Sequence, residues 1–539
     1  MQHPHLRGEF RTDVRARAAY SEGAGIHRIV PAAVARPADV DDLAALVRWA
    51  ATERVALVPR GAGSSMGGGS VGPGVVVDLT GLAPRELAID PSRRLARASA
   101  GISLGELNTA AAAHGLRLPL DPSSARWATL GGLLATNAAG ARTLRFGPMR
   151  AWVVALAGVT ADGEVVTMAR GSASSPAAAV RRFHGGAARR IRASRAGIAA
   201  RFPTTRKNTC GYALDQWLAS GDDLDLVVGS EGTLLLVTEA TWRLDPIPAE
   251  RRSAIVEVPS LDALGPLLLA LHGARPSALE LLDRTFLDVV RRDPPPGIAV
   301  PDAEAVVLVE LEGDDRTVVE AAAAVVEGAA RTAGARATIA TDAAREAALW
   351  ALRHAASPIL ARLPESTRSM QVVEDGCVPL DRLGDYLRLL RGAAARRGLD
   401  IVLFGHAGDG HVHANLLPDT TRSGWSSAVA ELFAEVSDGV IALGGTPSGE
   451  HGDGRLRAGL VAPLYGPELV ALFGEVKAAF DPLCILNPGV ILPADEAAPL
   501  TALKVGADAA AIPADIAAAL RRIERTGGYA ESRMELAGE

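Results

Sequence analysis

The densest gathering of side chains able to hold a metal or move a proton is Gly405-His-Ala-Gly-Asp-Gly-His-Val-His-Ala-Asn415, followed about forty residues on by Ser448-Gly-Glu-His-Gly-Asp-Gly454. Four of the eleven histidines fall in these two stretches, beside Asp409, Glu450 and Asp453. Imidazole with carboxylate suits zinc, manganese or iron better than magnesium, which prefers an all-oxygen shell. If Gly410 to Asn415 is a strand, His411 and His413 face the same way, so spacing alone pairs them. A hydrogen-bonded polar turn would account for one such pair; the addition of Glu450 and His451 favours chemistry.

Three further features could serve a pyrophosphate: Gly61 to Ser70, Gly131 to Gly140, and Gly229-Ser-Glu-Gly-Thr233. Glycine lets the backbone approach phosphate oxygens and aim its N–H groups at them, and serine and threonine add hydroxyl donors. One such loop is usually a tight turn. Three together favour a dinucleotide, although neither a Walker A lysine nor a strand-linked GxGxxG is present.

The elements that must position these residues are mixed α+β. Asp39 can cap a helix carrying Val40, Leu43 and Val47 on one face, followed by a strand over Val55 to Val58, the first glycine loop, and a strand over Val75 to Leu79. Leu87 to Ile89 and Leu95 to Ala98 flank the turn Asp90-Pro-Ser-Arg93, and Ser103 with Glu106 forms a capping box for a helix that stops at Gly115. Trp152 to Val159 is apolar and strand-like. The segment Asp245-Pro-Ile-Pro248 marks a boundary, after which Ile255 to Val258, Val306 to Leu311 and Ile401 to Phe404 alternate with alanine-rich helices. A helix-like charged stretch, Ile516 to Arg525, ends the chain without a functional reading.

A length of 539 residues calls for two domains and a tail. The net charge of −6 carries no basic block, which argues against nucleic acid. Three lysines stand against 53 arginines, a compositional bias that weakens the signal of any lone arginine. Cys210, Cys377 and Cys484 form no CxxC pair, so neither a disulfide framework nor an iron–sulfur cluster is encoded, and a reducing cytoplasm fits. The N-terminus lacks the apolar core of a signal peptide, and no apolar run is long enough to span a bilayer, which still allows peripheral attachment at a membrane.

The run Val58-Pro-Arg-Gly-Ala-Gly-Ser-Ser65 with Asp78-Leu-Thr, Thr129-Leu-Gly-Gly132 and Gly229-Ser-Glu-Gly-Thr233 resembles the FAD domain of the vanillyl-alcohol-oxidase (PCMH-type) superfamily. GHAGDGHVHANL and SGEHGDG resemble the two signatures of the C-terminal domain shared by D-lactate, glycolate and D-2-hydroxyglutarate dehydrogenases. The resemblance implies a two-subdomain FAD domain over residues 27–247, an α+β FAD-linked oxidase C-terminal domain over 248–493 for substrate and metal, and a tail over 494–539. Implied FAD contacts are Arg60, Gly61, Ala62, Gly63, Ser64, Ser65, Gly68, Thr129, Gly132, Asn137, Gly140 and Val237. No histidine lies between His27 and His114, so the FAD is expected to be non-covalent.

By the same resemblance His406, His413 and Glu450 hold a divalent metal, zinc or manganese, His451 is the acid/base, and Arg353 and Asn415 contact substrate. His411 sits where relatives commonly have asparagine and stays outside that ligand set. Val373 stands where mitochondrial-type D-2-hydroxyglutarate dehydrogenases carry a lysine, which counts against a dicarboxylate. The implied reaction is oxidation of a D-2-hydroxy acid by hydride transfer to flavin N5, with electrons passing to a quinone, a cytochrome or an electron-transfer flavoprotein. An oxygen-using oxidase, a non-catalytic FAD-binding subunit and a transferase on the same fold stay open as alternatives.

Overall fold

The computed structural model describes residues 3–294, 299–494 and 500–538, apart from the side chain of Ser357. Two main sheets and a two-stranded ribbon, Leu116–Arg117 with Asp245–Pro246, build the N-terminal half. The first has four strands in the order Glu9–Arg11, Ala33–Arg36, Val75–Asp78, Leu57–Arg60, antiparallel at the outer pair and parallel elsewhere. The second is antiparallel, in the order Leu87–Asp90, Leu95–Ser99, Leu236–Arg243, Val153–Val159, Val165–Ala169.

Local signals in the sequence explain where these elements start and stop. The Asp39 side chain accepts from Asp42 N and opens the helix Val40–Glu53, which buries Leu43, Leu46, Val47 and Ala50. Arg54 then ends that helix in a left-handed conformation, so the following strand begins at Leu57, two residues later than periodicity alone places it. The capping box forms as expected: Ser103 Oγ accepts from Glu106 N at 3.1 Å, and the Glu106 carboxylate accepts from Ser103 N at 2.8 Å. Thr129, which sequence places in a glycine loop, instead caps a short helix, Leu130–Ala135.

The C-terminal half is a seven-stranded antiparallel sheet in the order Arg336–Ile339, Glu250–Val258, Ala305–Gly313, Ala278–Asp283, Asp400–His406, His411–Leu417, Gly376–Cys377. Alternate residues feed two cores. Val256, Leu281, Val307 and Leu403 pack on one face, while Ile255, Leu282, Val306 and Val402 pack on the other. The chain then returns to the first half, where Leu57 N donates to Ile485 O and Asn487 N donates to Leu57 O.

Residues 500–538 strap both halves together. The helix Ala514–Thr526 packs on the helices Val14–Ala19 and Ala356–Ala361. From its last turn Glu524 meets Arg368 and Lys504, the latter at 3.1 Å. Burial alone would push the Glu524 carboxyl up, but Lys504 and Arg368 outweigh it and hold it down at about 2. Glu524→Gln therefore strands two buried cations and should cost about 3 kcal/mol at neutral pH. A carboxyl depressed in the folded state stabilises above its unfolded pKa of about 4.3. The gap in melting temperature between wild type and variant should be full at pH 7 and close as pH falls toward 2; calorimetry across that range checks it, and equal stabilities at pH 7 would refute the strap.

Candidate active site

Register decides which side chains meet. Glu280 pairs with His406, His406 with His411, Phe404 with His413, and Val402 with Asn415. With a two-residue pleat, these pairings set Glu280, His406, His411, His413 and Asn415 on one face of the central strands, while Leu281, Val412 and Ala414 face the core behind. The His411 and His413 rings lie 4.6 Å apart, as their spacing in a strand requires.

Each histidine is oriented from its outer side. His406 Nδ1 lies 2.6 Å from Glu280 Oε1, His413 Nδ1 lies 2.9 Å from the carbonyl of Glu374, and His411 Nε2 lies 2.9 Å from Asp375 Oδ1. These partners only accept, so the outer nitrogens carry protons, and each inner nitrogen presents a lone pair when its ring is neutral; His406, held toward the charged form by its carboxylates, would give up its inner proton to a cation. The inner atoms converge: His406 Nε2 is 3.3 Å from His413 Nε2, and these lie 3.2 and 3.4 Å from Glu450 Oε1. Lys207 Nζ donates to the other oxygen, Glu450 Oε2, at 2.6 Å.

The electrostatics call for positive charge at this point. Burial works against a charged His406, yet Glu280 and Glu450 outweigh it and the ring's pKa rises. Burial likewise opposes the charged forms of Glu280 and Glu450. The His406 and Arg353 charges hold Glu280 at about 2, and Lys207 and His406 hold Glu450 well below the carboxylate range. Burial pushes His411 down to about 3, so it stays neutral. Converging imidazole lone pairs, an ionised carboxylate and depressed neighbouring acids form a donor set that fits a divalent transition-metal ion.

Beside this cluster His451 stacks on His413, with ring centroids 5.2 Å apart, and its Nδ1 is hydrogen-bonded to Glu374 Oε2. Burial disfavours the charged ring, but Glu374 and Asp375 lift it to about 9. Arg353 Nε donates to Glu280 Oε2 at 2.8 Å while the guanidinium lies over the Phe404 ring. Asn415 Oδ1 accepts from Ser369 Oγ and Gln371 Nε2, each at 3.0 Å.

A single cavity of about 800 Å³ runs from these residues to the glycine loops. Arg60 to Ser65, Thr129, Gly132, Gly140 and Val237 line it, as do His406, His413, Glu450, His451, Arg353 and Asn415. Gly68 and Asn137 stand behind the wall: Gly68 packs against the His27 ring, and Asn137 Oδ1 accepts from Arg150 N. Arg60 offers the cavity its backbone, because its guanidinium turns away to donate to the carbonyl of Glu22 at 2.8 Å. The loop suits a pyrophosphate in two respects. Ser65 Oγ is buried without a partner, and a Cβ at Gly61 would lie 2.1 Å from Thr129 Oγ1.

Sequence reasoning left out the residues behind the first layer: Glu280, Glu374, Asp375, Lys207 and Arg457. A signal existed for some of them. Glu280 interrupts the apolar strand Ala278–Asp283, and Lys207 is one of only three lysines. Val373, read as the position of a substrate-binding lysine in some relatives, packs into the core behind the sheet.

The tight Gly61 contact yields a test. Gly61→Ala overpacks the loop against Thr129, and overpacking of this kind costs about 1–3 kcal/mol. That corresponds to a loss of cofactor affinity of about tenfold to a hundredfold. Titration of the stripped protein with FAD should show it, and unchanged affinity would remove Gly61 from the cofactor cradle.

Residues 31–169 match the family described as FAD binding domain, and residues 247–491 match FAD linked oxidases, C-terminal domain. The chain is 30% identical over 462 residues to a D-lactate dehydrogenase of Archaeoglobus fulgidus, covering 85% of this chain and 91% of that protein. It is 30% identical over 473 residues to the glycolate oxidase subunit GlcD of Bacillus subtilis, covering 87% and 90%. Among solved structures, a 4-ethylphenol oxidase from Gulosibacter chungangensis shares the fold with a TM-score of 0.65 at 17% identity, over 90% of this chain and 94% of that one. P-cresol methylhydroxylase does so at a TM-score of 0.63 and 15% identity, over 90% and 94%. The chain belongs to the FAD-linked oxidase family and is a FAD-dependent oxidoreductase, with a PCMH-type FAD domain joined to an FAD-linked oxidase C-terminal domain.

Proposed function

We propose that the protein oxidises a small D-2-hydroxy acid to the 2-oxo acid, with residues 27–247 carrying non-covalent FAD and residues 248–493 carrying substrate and a divalent cation. The observation that carries this reading is the convergence of His406, His413 and Glu450 at one end of the cavity whose other end is the glycine loop. The names of the relatives, D-lactate dehydrogenase and glycolate oxidase subunit, support the substrate class. When bound, FAD supplies the acceptor for the hydride leaving Cα, and a cation at His406, His413 and Glu450 supplies the charge that acidifies the substrate hydroxyl.

The chain's own groups do the rest. His451 is tied through Nδ1 to Glu374, which leaves Nε2 to take the hydroxyl proton. A cation at the neighbouring donors would work against the lift from Glu374 and favour the neutral ring that takes this proton. Arg353 uses Nε on Glu280, so its two Nη groups serve the substrate carboxylate. Asn415 lies one strand position beyond His413 on the same face and contacts the substrate from the side. Phe404 and Trp350 wall this end with aromatic surface, which favours a short acid; Val373 faces the core behind the sheet and takes no part in that choice.

Electrons then leave to a quinone, a cytochrome or an electron-transfer flavoprotein. Among the described residues no helix is long and apolar enough to cross a membrane.

Anaerobic flavin bleaching against a panel of D- and L-2-hydroxy acids tests the class: a D-acid should reduce the flavin of the metal-loaded protein, and His413→Ala should abolish that reduction. His451→Gln should slow the reduction rate by about 10²–10⁴-fold with FAD content unchanged. Arg353→Met should instead raise the acid concentration for half-reduction by about tenfold to a hundredfold, the loss of one charge-assisted contact. Bleaching by no acid, with FAD bound, would overturn the proposal.

A further inference from the structure

His411 is the one histidine of the cluster that the family resemblance leaves without a role, and its surroundings assign one. The ring is wholly buried on the cluster side of the sheet. Its Nε2 is committed to Asp375 Oδ1 at 2.9 Å, and Asp375 also accepts from the backbone N–H groups of Glu450 and His451, so this carboxylate has no proton to return. The tautomer is thereby fixed, with the lone pair on Nδ1. Nδ1 has no hydrogen-bond partner although it is buried, an omission that ordinarily costs about 1–3 kcal/mol.

That lone pair is aimed inward. Nδ1 lies 3.9 Å from Glu450 Oε1, too far for a hydrogen bond to join them. Together with His406, His413 and Glu450 it completes a set of four donor atoms, all within 4.8 Å of one another. Ligand atoms about 2.1 Å from a common ion stand about 3.0 Å apart when adjacent and about 4.2 Å apart when opposite in an octahedron. Separations of 3.2, 3.3, 3.4 and 3.9 Å fall within that span. Asp375 supplies to His411 the orientation that Glu280 supplies to His406. All three rings thus carry an outer acceptor and an inner lone pair, the arrangement of a metal-ligating histidine.

We infer that His411 Nδ1 is a fourth protein ligand, which makes the centre three imidazoles and one carboxylate. This rests on the metal reading of the same site proposed above. A set of three nitrogens and one oxygen favours zinc, cobalt, iron or manganese over magnesium or calcium, and an octahedral ion keeps two positions for the hydroxyl and carboxylate oxygens of a 2-hydroxy acid. Asparagine at this position would offer only a neutral amide, a weaker donor for these ions.

The test uses the FAD-loaded full chain and reads the metal directly. X-ray absorption of the zinc-loaded wild type should require three imidazoles in the coordination sphere; a fit with two would overturn the inference and leave the metal reading intact. His411→Asn, checked for unchanged flavin absorbance and circular dichroism, should surrender zinc to a competing chelator at about tenfold lower chelator concentration or less. Equal retention by variant and wild type would also overturn the inference. Failure of the wild type to bind zinc, cobalt or manganese would instead remove the metal reading itself, and the fourth ligand with it.

Discussion

The site depends on two adjacent buried carboxylates, Glu374 and Asp375. Glu374 orients His413 through its carbonyl and His451 through its side chain, while Asp375 orients His411 and takes the backbone N–H groups of Glu450 and His451. Two neighbouring negative charges in a dry interior are costly unless paired. Arg457, itself buried, donates to Glu374 Oε1 at 2.8 Å and lies 3.7 Å from Asp375. His411, His413, His451 and the backbone of Glu450 are therefore set by one dipeptide, so a shift there would move base and ligands together.

The loop carrying Glu450 and His451 is also the joint between the two halves. Its far end reaches the first glycine loop, where Arg455 N donates to Gly67 O at 2.8 Å, and a Cβ at Gly454 would lie 1.9 Å from that same oxygen. Glycine is required at 454 by this contact. The Glu231 carboxylate accepts from Asp453 N and Gly454 N, and Asn487 Nδ2 donates to the carbonyls of Gly69 and Glu231. One heptapeptide thus spans from the proton-transfer end of the cavity to the pyrophosphate end, which fixes the distance between the two chemistries.

Local chemistry was legible and tertiary support was not. The hairpin Asp400–His406 to His411–Leu417 brings His406, His411 and His413 together; spacing alone pairs His411 with His413, and His406 is recognised through the family signature. Glu450 is recognised through its motif. Glu280, Glu374, Asp375 and Lys207 come from strands and loops far away in sequence, and only sheet order brings them to the cluster. Arginine-rich composition hid Arg457, yet the same bias gave the lysines meaning: Lys207, Lys477 and Lys504 are all buried, each on a carboxylate. The strand at Leu57 was displaced from its expected start because a helix cap, a matter of one residue's φ, competes with apolar periodicity.

The strap formed by residues 500–538 is also a wall. Glu524, Gly527 and Tyr529 line the cavity, with Tyr529 packed on Trp127. These wall residues come from chain that follows all three main sheets in sequence, so this side of the cleft exists only when the helix Ala514–Thr526 is docked. What holds the helix Ala514–Thr526 in place therefore also sets the shape of that wall.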